Sequence, residues 1–584
     1  MFARIITRYG LAAHLALLAS LPFVLFPFLS ESTLAEVIFW LSGLAFLWLL
    51  TEPSMRAGEH LSMARRRVLG SLVRDIAFWF FLCVLVVAFI RYVNSDVNAV
   101  YSLEEGKWNI CEPSYPSLPA STSVRTKWCP FPMKGLLTLA VLTGVSVVVL
   151  GIRHGIGLTG RISFGLISSF IMGVGGLAMV IFACMRVPSF LCAAKADFLG
   201  GPFWRPFWGP GFGVWLILAL AFGSQAEARK WGAARVPFCI AVAGNASGLL
   251  FFSPPPVSSV FLVVASLSAI FCLAYLGRAG SMGASARGFV FMLLGFSAPF
   301  FFLFALVPEE VEFDNCVQNV DSAIQTVKEP TRNIYAVKAG GFLAIDKDQA
   351  EIYGELSPKL SEIAKGIWKK HLWYGSGTGT FPLYFAVDTP PKDQVLFQKA
   401  PFISKISELQ SFKRVKVGND WRTRLILQQM KDAAKDLDEK GKKTAKDVSS
   451  ELDWTAIRQF HSPDCAFNSY WTFLAERGLL GVALAVLGLG ILLVTYIVRF
   501  VLAVQYLRTQ DDSDIFVFAC PPIVWVAPFA LALLFVLARY EPVFDIVPMF
   551  LVCTIPLAIA AASFPKKPTP RNKATQTTLE GESH

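Results

Sequence analysis

Apolar runs of roughly 20 residues, separated by short polar joints, recur along most of this chain, and no other feature constrains its fold as strongly. A helix of that length just crosses about 30 Å of hydrocarbon. In hydrocarbon every backbone N–H must find its acceptor within the chain, so such runs are read as helices. Twelve runs fit, at about 11–29, 34–51, 73–92, 135–152, 162–184, 208–224, 235–252, 257–277, 287–307, 477–499, 515–537 and 543–563. The expectation is an all-α polytopic membrane protein. The composition agrees: 16% of the 584 residues are charged and mean hydropathy is +0.53, against about 25% charged in soluble domains. Arg4 and Arg8 before the first run suggest a signal peptide, but the run is long and lacks a persuasive small-residue cleavage site, so it reads as a span.

Charge sets the expected orientation. Arg4 and Arg8, then Arg65–Arg67, Arg153 with Arg161, Arg229 with Lys230 and Arg235, Arg278 with Arg287, Arg499 with Arg508, and finally "KKPTPRNK" place basic residues on every second joint. By the positive-inside rule both termini are cytoplasmic. The net charge of +11 is mostly this bias and is not read as a nucleic-acid footprint. The domains expected are spans 1–9 over 1–307, an outer segment over 308–466, an edge helix with spans 10–12 over 467–563, and a disordered cytoplasmic tail over 564–584.

The opposite joints carry Cys111, Cys129, Cys192, Cys316 and Cys465. Outside the cytoplasm, disulfides are allowed. Cys111 and Cys129 share one loop. Cys316 follows span 9 and Cys465 precedes the helix leading into span 10, so Cys316–Cys465 would close the base of the outer segment. The competing reading is free thiols.

The outer segment 308–466 holds 23 basic and 23 acidic residues, with a local excess of +7 over 399–446. Within it, 421–440 has the apolar spacing of an amphipathic helix, either lying on headgroups or simply solvated. The stretch "WKKHLWYGSGTGTF", 368–381, sets Gly375, Gly377 and Gly379 at alternate positions, a tight turn that lets a ligand approach the backbone. It lacks the Lys-Ser/Thr pair of a P-loop. In "HSPDCAFNSYWTFLAERGLLG", 461–481, Ser462-Pro463 reads as a helix start with free N–H groups suited to phosphate. Asn468, Thr472 and Glu476 form a polar stripe at i, i+4, i+8. A straight helix over 463–499 would be about 55 Å long, too long for one crossing, so a break near Gly478 is expected.

"SARGF" at 285–289, "HLWYGSGTGTF", and "FNSYWTFLAERGLLG" with Asn468, Tyr470, Leu474, Ala475, Glu476, Gly478 and Gly481 in one register resemble the O-antigen ligase and O-antigen polymerase superfamily of bacterial inner-membrane glycosyltransferases. The resemblance covers roughly 285–500. It implies about a dozen spans, a periplasmic insert between spans 9 and 10, and transfer of a glycan from undecaprenyl diphosphate to an acceptor hydroxyl, on a lipid A core or another lipid-linked glycan. No cofactor or metal is implied. In this register the family histidine falls on Phe467, with His461 six residues earlier. The family arginine falls near Ser357, with Lys359 close by.

Such chemistry needs a group to orient or deprotonate the hydroxyl and cations to hold the diphosphate. His461, beside Asp464, is the candidate base or phosphate ligand, weighed against a surface histidine or cap. Glu476 is the candidate partner for a base or a sugar, weighed against a helix salt bridge or a hydrogen bond at the bend. Arg205, Arg332, Arg422, Arg424 and Arg477 are candidate diphosphate ligands, weighed against solvated arginines. Asn468, Tyr470, Gly375 and Gly377 complete the candidate substrate wall. Two other functions remain open from the residues. One is a metal-dependent lipid-linked glycosyltransferase using Glu31, Glu36 or the D-x-D of Asp346 and Asp348. The other is a polysaccharide or lipid transporter.

Overall fold

A computed structural model of the protein describes residues 2–26, 29, 31–53, 59–93, 98–102, 107–111, 132–185, 208–252, 255–279, 286–290, 292–297, 347–378, 381, 466, 468–508, 521–539, 555 and 558–560. These residues are overwhelmingly helical. In chain order the elements are α1 (Phe2–Leu25), α2 (Glu31–Thr51), α3 (Leu61–Val73), α4 (Ile76–Val93), β1 (Asn98–Ser102), β2 (Lys107–Cys111), α5 (Pro132–Leu150), α6 (Leu158–Met185), α7 (Trp208–Ala228), α8 (Arg235–Phe252), α9 (Pro255–Ala279), α10 (Lys347–Lys370), α11 (Ser469–Arg508) and α12 (Pro522–Leu537). A π-helical turn, Gly151–Gly155, ends α5.

Among the described residues seven helices are long and apolar enough to cross a membrane, or eight if α3 and α4, bent by 65°, form one broken span. The protein is therefore a multi-pass helical membrane protein. Of the twelve expected spans, those at 11–29 and 515–537 appear as the shorter apolar helices Gly10–Leu25 and Pro522–Leu537. The first part of that at 287–307 appears as another short apolar helix, Ala286–Ser297, and the rest of it, with most of 543–563, falls outside the described residues. One departure from all-α is the antiparallel ribbon of β1 and β2, pairing Asn98 with Cys111 and Ser102 with Lys107. Valine, tyrosine, tryptophan and isoleucine there favour a pleated ribbon.

The core forms around α7. Its sequence is apolar on every side, and 94% of its spanning window is buried, as expected for a helix surrounded by others. Phe212, Trp215 and Phe222 are fully enclosed. Beside it α6 and α8 cross so closely that a methyl group on Gly244 would strike the Gly173 backbone and one on Gly173 the backbone of Ile240 and Ala241. Lipid tails are as apolar as leucine, so small residues that admit close backbone contact drive such pairing. Asn245 fastens the crossing, its Nδ2 donating to the carbonyls of Ser169 (3.0 Å) and Ala241 (2.7 Å).

Two ionic clusters sit at helix ends. Asp75, at the α3–α4 bend, accepts from Arg153 Nε (2.8 Å) and Nη2 (3.0 Å) and lies 2.6 Å from His154 Nε2. Glu227, near the end of α7, accepts from Arg235 Nε (3.0 Å) and Arg287 Nε (2.9 Å). Buried carboxylates in a membrane protein require such pairing. Arg287, in the "SARGF" stretch, thus ties the segment after α9 to α7.

α11 and α12 run antiparallel. At one end the Tyr470 hydroxyl donates to the Phe535 carbonyl (2.6 Å) and the Ser469 N–H to the Ala538 carbonyl (2.9 Å); at the other the Tyr496 hydroxyl donates to the Val524 carbonyl (3.0 Å). Only 6% of the spanning window of α11 is buried, so this helix lies on the outside of the bundle.

Candidate functional site

α10 and the head of α11 come together through an apolar stripe. Leu360, Ala364 and Ile367, at i, i+4, i+7 on α10, are fully buried. Trp368 of α10 meets Trp471 of α11 at a ring separation of 6.1 Å, and Lys365 Nζ lies 4.7 Å from the Trp471 ring centre. This packing delivers the turn after α10, residues 371–378, to the point where α11 breaks.

The break is at Gly478, with φ 63° and ψ −172°. Non-glycine residues hardly enter that region. A broken helix leaves carbonyls without partners on one side and N–H groups without partners on the other. The turn supplies both. The Leu479 and Leu480 N–H groups donate to the carbonyls of Leu372 and Trp373, each at 3.0 Å. The Ala475 carbonyl accepts from the Ser376 N–H (2.8 Å) and Ser376 Oγ (3.1 Å), and the Glu476 carbonyl accepts from the Gly377 N–H (3.0 Å). The turn therefore caps both halves of the helix at once. Gly375 (φ 68°) and Gly377 (φ 112°) bend it into place. A side chain at Gly375 would strike the Glu476–Arg477 peptide, and one at Gly478 would strike Gly375 and Trp373.

Glu476 is 8% exposed, and its Oε1 accepts from the Phe381 N–H at 3.3 Å. The carboxylate thus fixes the far end of the glycine stretch, the hydrogen bond at the bend that its position suggests. The Arg477 guanidinium lies 5.3 Å from the Phe473 ring centre.

The helix does not start at Pro463. Ala466 and Asn468 are non-helical, and α11 begins at Ser469. Asn468 is the cap: its Oδ1 accepts from Tyr470 N (3.1 Å) and Trp471 N (3.3 Å), while its carbonyl accepts from Thr472 N (3.1 Å). Ser462 and Pro463 lie outside the described residues, and the Ser469 N–H at the observed start donates to the Ala538 carbonyl just past α12. The phosphate seat expected at Ser462-Pro463 lies outside the described residues; at the observed start of α11 the N–H groups of residues 469–472 all have protein acceptors. Thr472 Oγ1 accepts from Ala466 N at 3.0 Å, so the polar stripe anchors the preceding strand of chain.

Of the residues singled out in the sequence, Gly375, Gly377, Asn468, Tyr470, Glu476 and Arg477 belong to this one assembly. His461, Asp464, Arg205, Arg332, Arg422, Arg424, Cys129, Cys316, Cys465 and the 421–440 segment lie outside the described residues, and Cys111 closes β2. No family model, curated protein or solved structure matches this chain. Ser376, Trp368 and Phe381 were not singled out, although each lies within the glycine stretch. Their role depends on a partner 99 residues away, as for Ser376 and Ala475, and no local pattern encodes that.

Proposed function

We propose that this protein is a glycosyltransferase of the O-antigen ligase and polymerase kind, moving a glycan from undecaprenyl diphosphate to an acceptor hydroxyl at the periplasmic face of a bacterial inner membrane. The observation that supports this most is the interlock just described. Two of the three stretches that carry the resemblance, far apart in sequence, form one hydrogen-bonded unit at the head of an apolar helix long enough to span. A lipid-linked donor requires its site at that kind of boundary.

In this reading the acceptor oxygen attacks the anomeric carbon and the bond from that carbon to the diphosphate oxygen breaks. The diphosphate leaves on its lipid, and the acceptor proton passes to a base. His461 is that base or a ligand of the diphosphate, with Asp464 beside it. Arg477, and Arg205, Arg332 and Arg422 from other segments, supply positive charge for the leaving group. Glu476, held at the bend, positions the wall rather than transferring the proton.

A positioned acid–base group contributes about 10²–10⁴-fold. His461→Ala should therefore lower glycan transfer by at least about 10²-fold, with the protein still inserted and folded. Glu476→Gln, which keeps an oxygen for the Phe381 N–H, should lower it less. Normal transfer by His461→Ala would remove the histidine from the mechanism.

A further inference from the structure

The turn that caps the broken helix also presents the most exposed aromatic pair among the described residues of the α10–α11 assembly. Trp373 is 65% and Tyr374 68% exposed, with Leu372 at 38%. Lys369 and Lys370, in the last turn of α10, are exposed beside them. Large aromatics left open to this degree mark a surface with a partner.

The position of the turn identifies the partner. The Trp373 carbonyl accepts from the Leu480 N–H, which fixes the pair at the first turn of the apolar half of α11. Leu480, Leu487, Val494 and Val501 follow at seven-residue intervals down one face of that helix, and all four are exposed. That face belongs to an apolar helix with only 6% of its spanning window buried, and it reads as a lipid-facing stripe. Trp373 and Tyr374 stand at its upper end, where hydrocarbon gives way to headgroups. Tryptophan and tyrosine prefer that level, and lysines there keep their ammonium groups in the headgroup layer.

We propose that Leu372–Tyr374, with Lys369 and Lys370, form an interfacial anchor that rests on the phospholipid headgroups of the leaflet at which α11 begins. The anchor holds the Gly375–Gly478 interlock at a fixed depth. Because the same turn caps α11, membrane depth and helix break are set by one element. The inference stands independently of the transferase reading, since it needs only that α11 spans.

An environment-sensitive fluorescent amino acid placed at Tyr374 tests this in liposomes, with the same probe at Leu487 and at the exposed Glu362 of α10 as references. The Tyr374 side chain is largely exposed, so its replacement leaves the capping bonds intact, and the probe at Trp373 gives a second reading. At both positions the probe should be quenched most by lipids carrying a nitroxide near the headgroup, less by nitroxide near the acyl-chain end, and weakly by aqueous iodide. The Leu487 probe should favour the deep nitroxide and the Glu362 probe iodide. A Tyr374 probe that behaves like Glu362 would overturn the proposal, because the aromatics would then face water. Strongest quenching by the deep nitroxide would overturn the headgroup placement. Protection from every quencher would mean that protein covers the pair, and would overturn it too.

Discussion

Gly478 combines a positive φ with an extended ψ, and Gly375 takes up the space that a side chain on Gly478 would need. Each glycine is required by the other. Alanine at Gly478 adds backbone strain of about 1–3 kcal/mol to a collision with Trp373 and Gly375. Gly478→Ala should therefore detach the turn, expose the Leu479 and Leu480 N–H groups, and speed proteolysis between α10 and α11. Gly490→Ala, where a methyl group meets open space, should do neither. Hydrogen exchange at Leu479 and Leu480 measures the difference; unchanged protection in Gly478→Ala would contradict the role given to this residue. The break itself was legible in the sequence, because a helix from 463 to 499 is too long for one crossing and glycine is its weakest point. The purpose of the glycine stretch was not. Alternating glycines announce that something approaches the backbone, and a ligand is the usual reading. Here what approaches is the backbone of Glu476 and Arg477.

At the scale of elements, α11 is held at its head by α10 and by α12, and its cap decides where it begins. Asn468→Ala removes an N-cap worth about 1 kcal/mol at the helix start that also carries the Ser469–Ala538 bond. Tyr470→Phe removes one hydrogen bond to Phe535, worth about 0.5–1.5 kcal/mol. Both variants should lower the thermal stability of the detergent-solubilised protein, with the double variant showing coupling because Asn468 Oδ1 accepts from the N–H of Tyr470, the residue whose hydroxyl reaches Phe535. Fully additive effects would contradict a shared latch. Ser462-Pro463 looked like the better helix start because capping preferences are local. The actual start depends on α12, which lies some 70 residues further on and whose contact no short pattern encodes. The ribbon β1–β2 was overlooked for a related reason: its strands are short, and the cysteine spacing of the loop drew the reading toward a disulfide.

At the scale of the whole molecule, the length of the apolar runs made the multi-pass helical architecture legible; which helix stands at the centre, α7, was not read from them. Span number was less legible. Length and hydropathy do not distinguish a straight crossing from a pair such as α3 and α4, which bends at Asp75 to bring that carboxylate to Arg153 and His154. The alternation of basic joints leads us to expect 308–466 outside the cytoplasmic membrane. Ser407→Cys should then react with an impermeant thiol reagent in intact cells whose outer barrier is opened; reaction only after the inner membrane is permeabilised would reverse the topology. The pairs Cys111–Cys129 and Cys316–Cys465 should appear as disulfides by mass spectrometry without reductant, and free thiols at all four positions would contradict them.

The central claim is that the protein transfers glycans from a lipid diphosphate, and the most direct measurement is made in the cell that produces it. Removal of the protein should leave undecaprenyl-diphosphate-linked glycan accumulating while surface glycan is shortened or lost. The wild-type protein should restore both, and His461→Ala, produced at the same level, should restore neither. An unchanged lipid-linked pool together with unchanged surface glycan, in length and in attachment, would contradict the account.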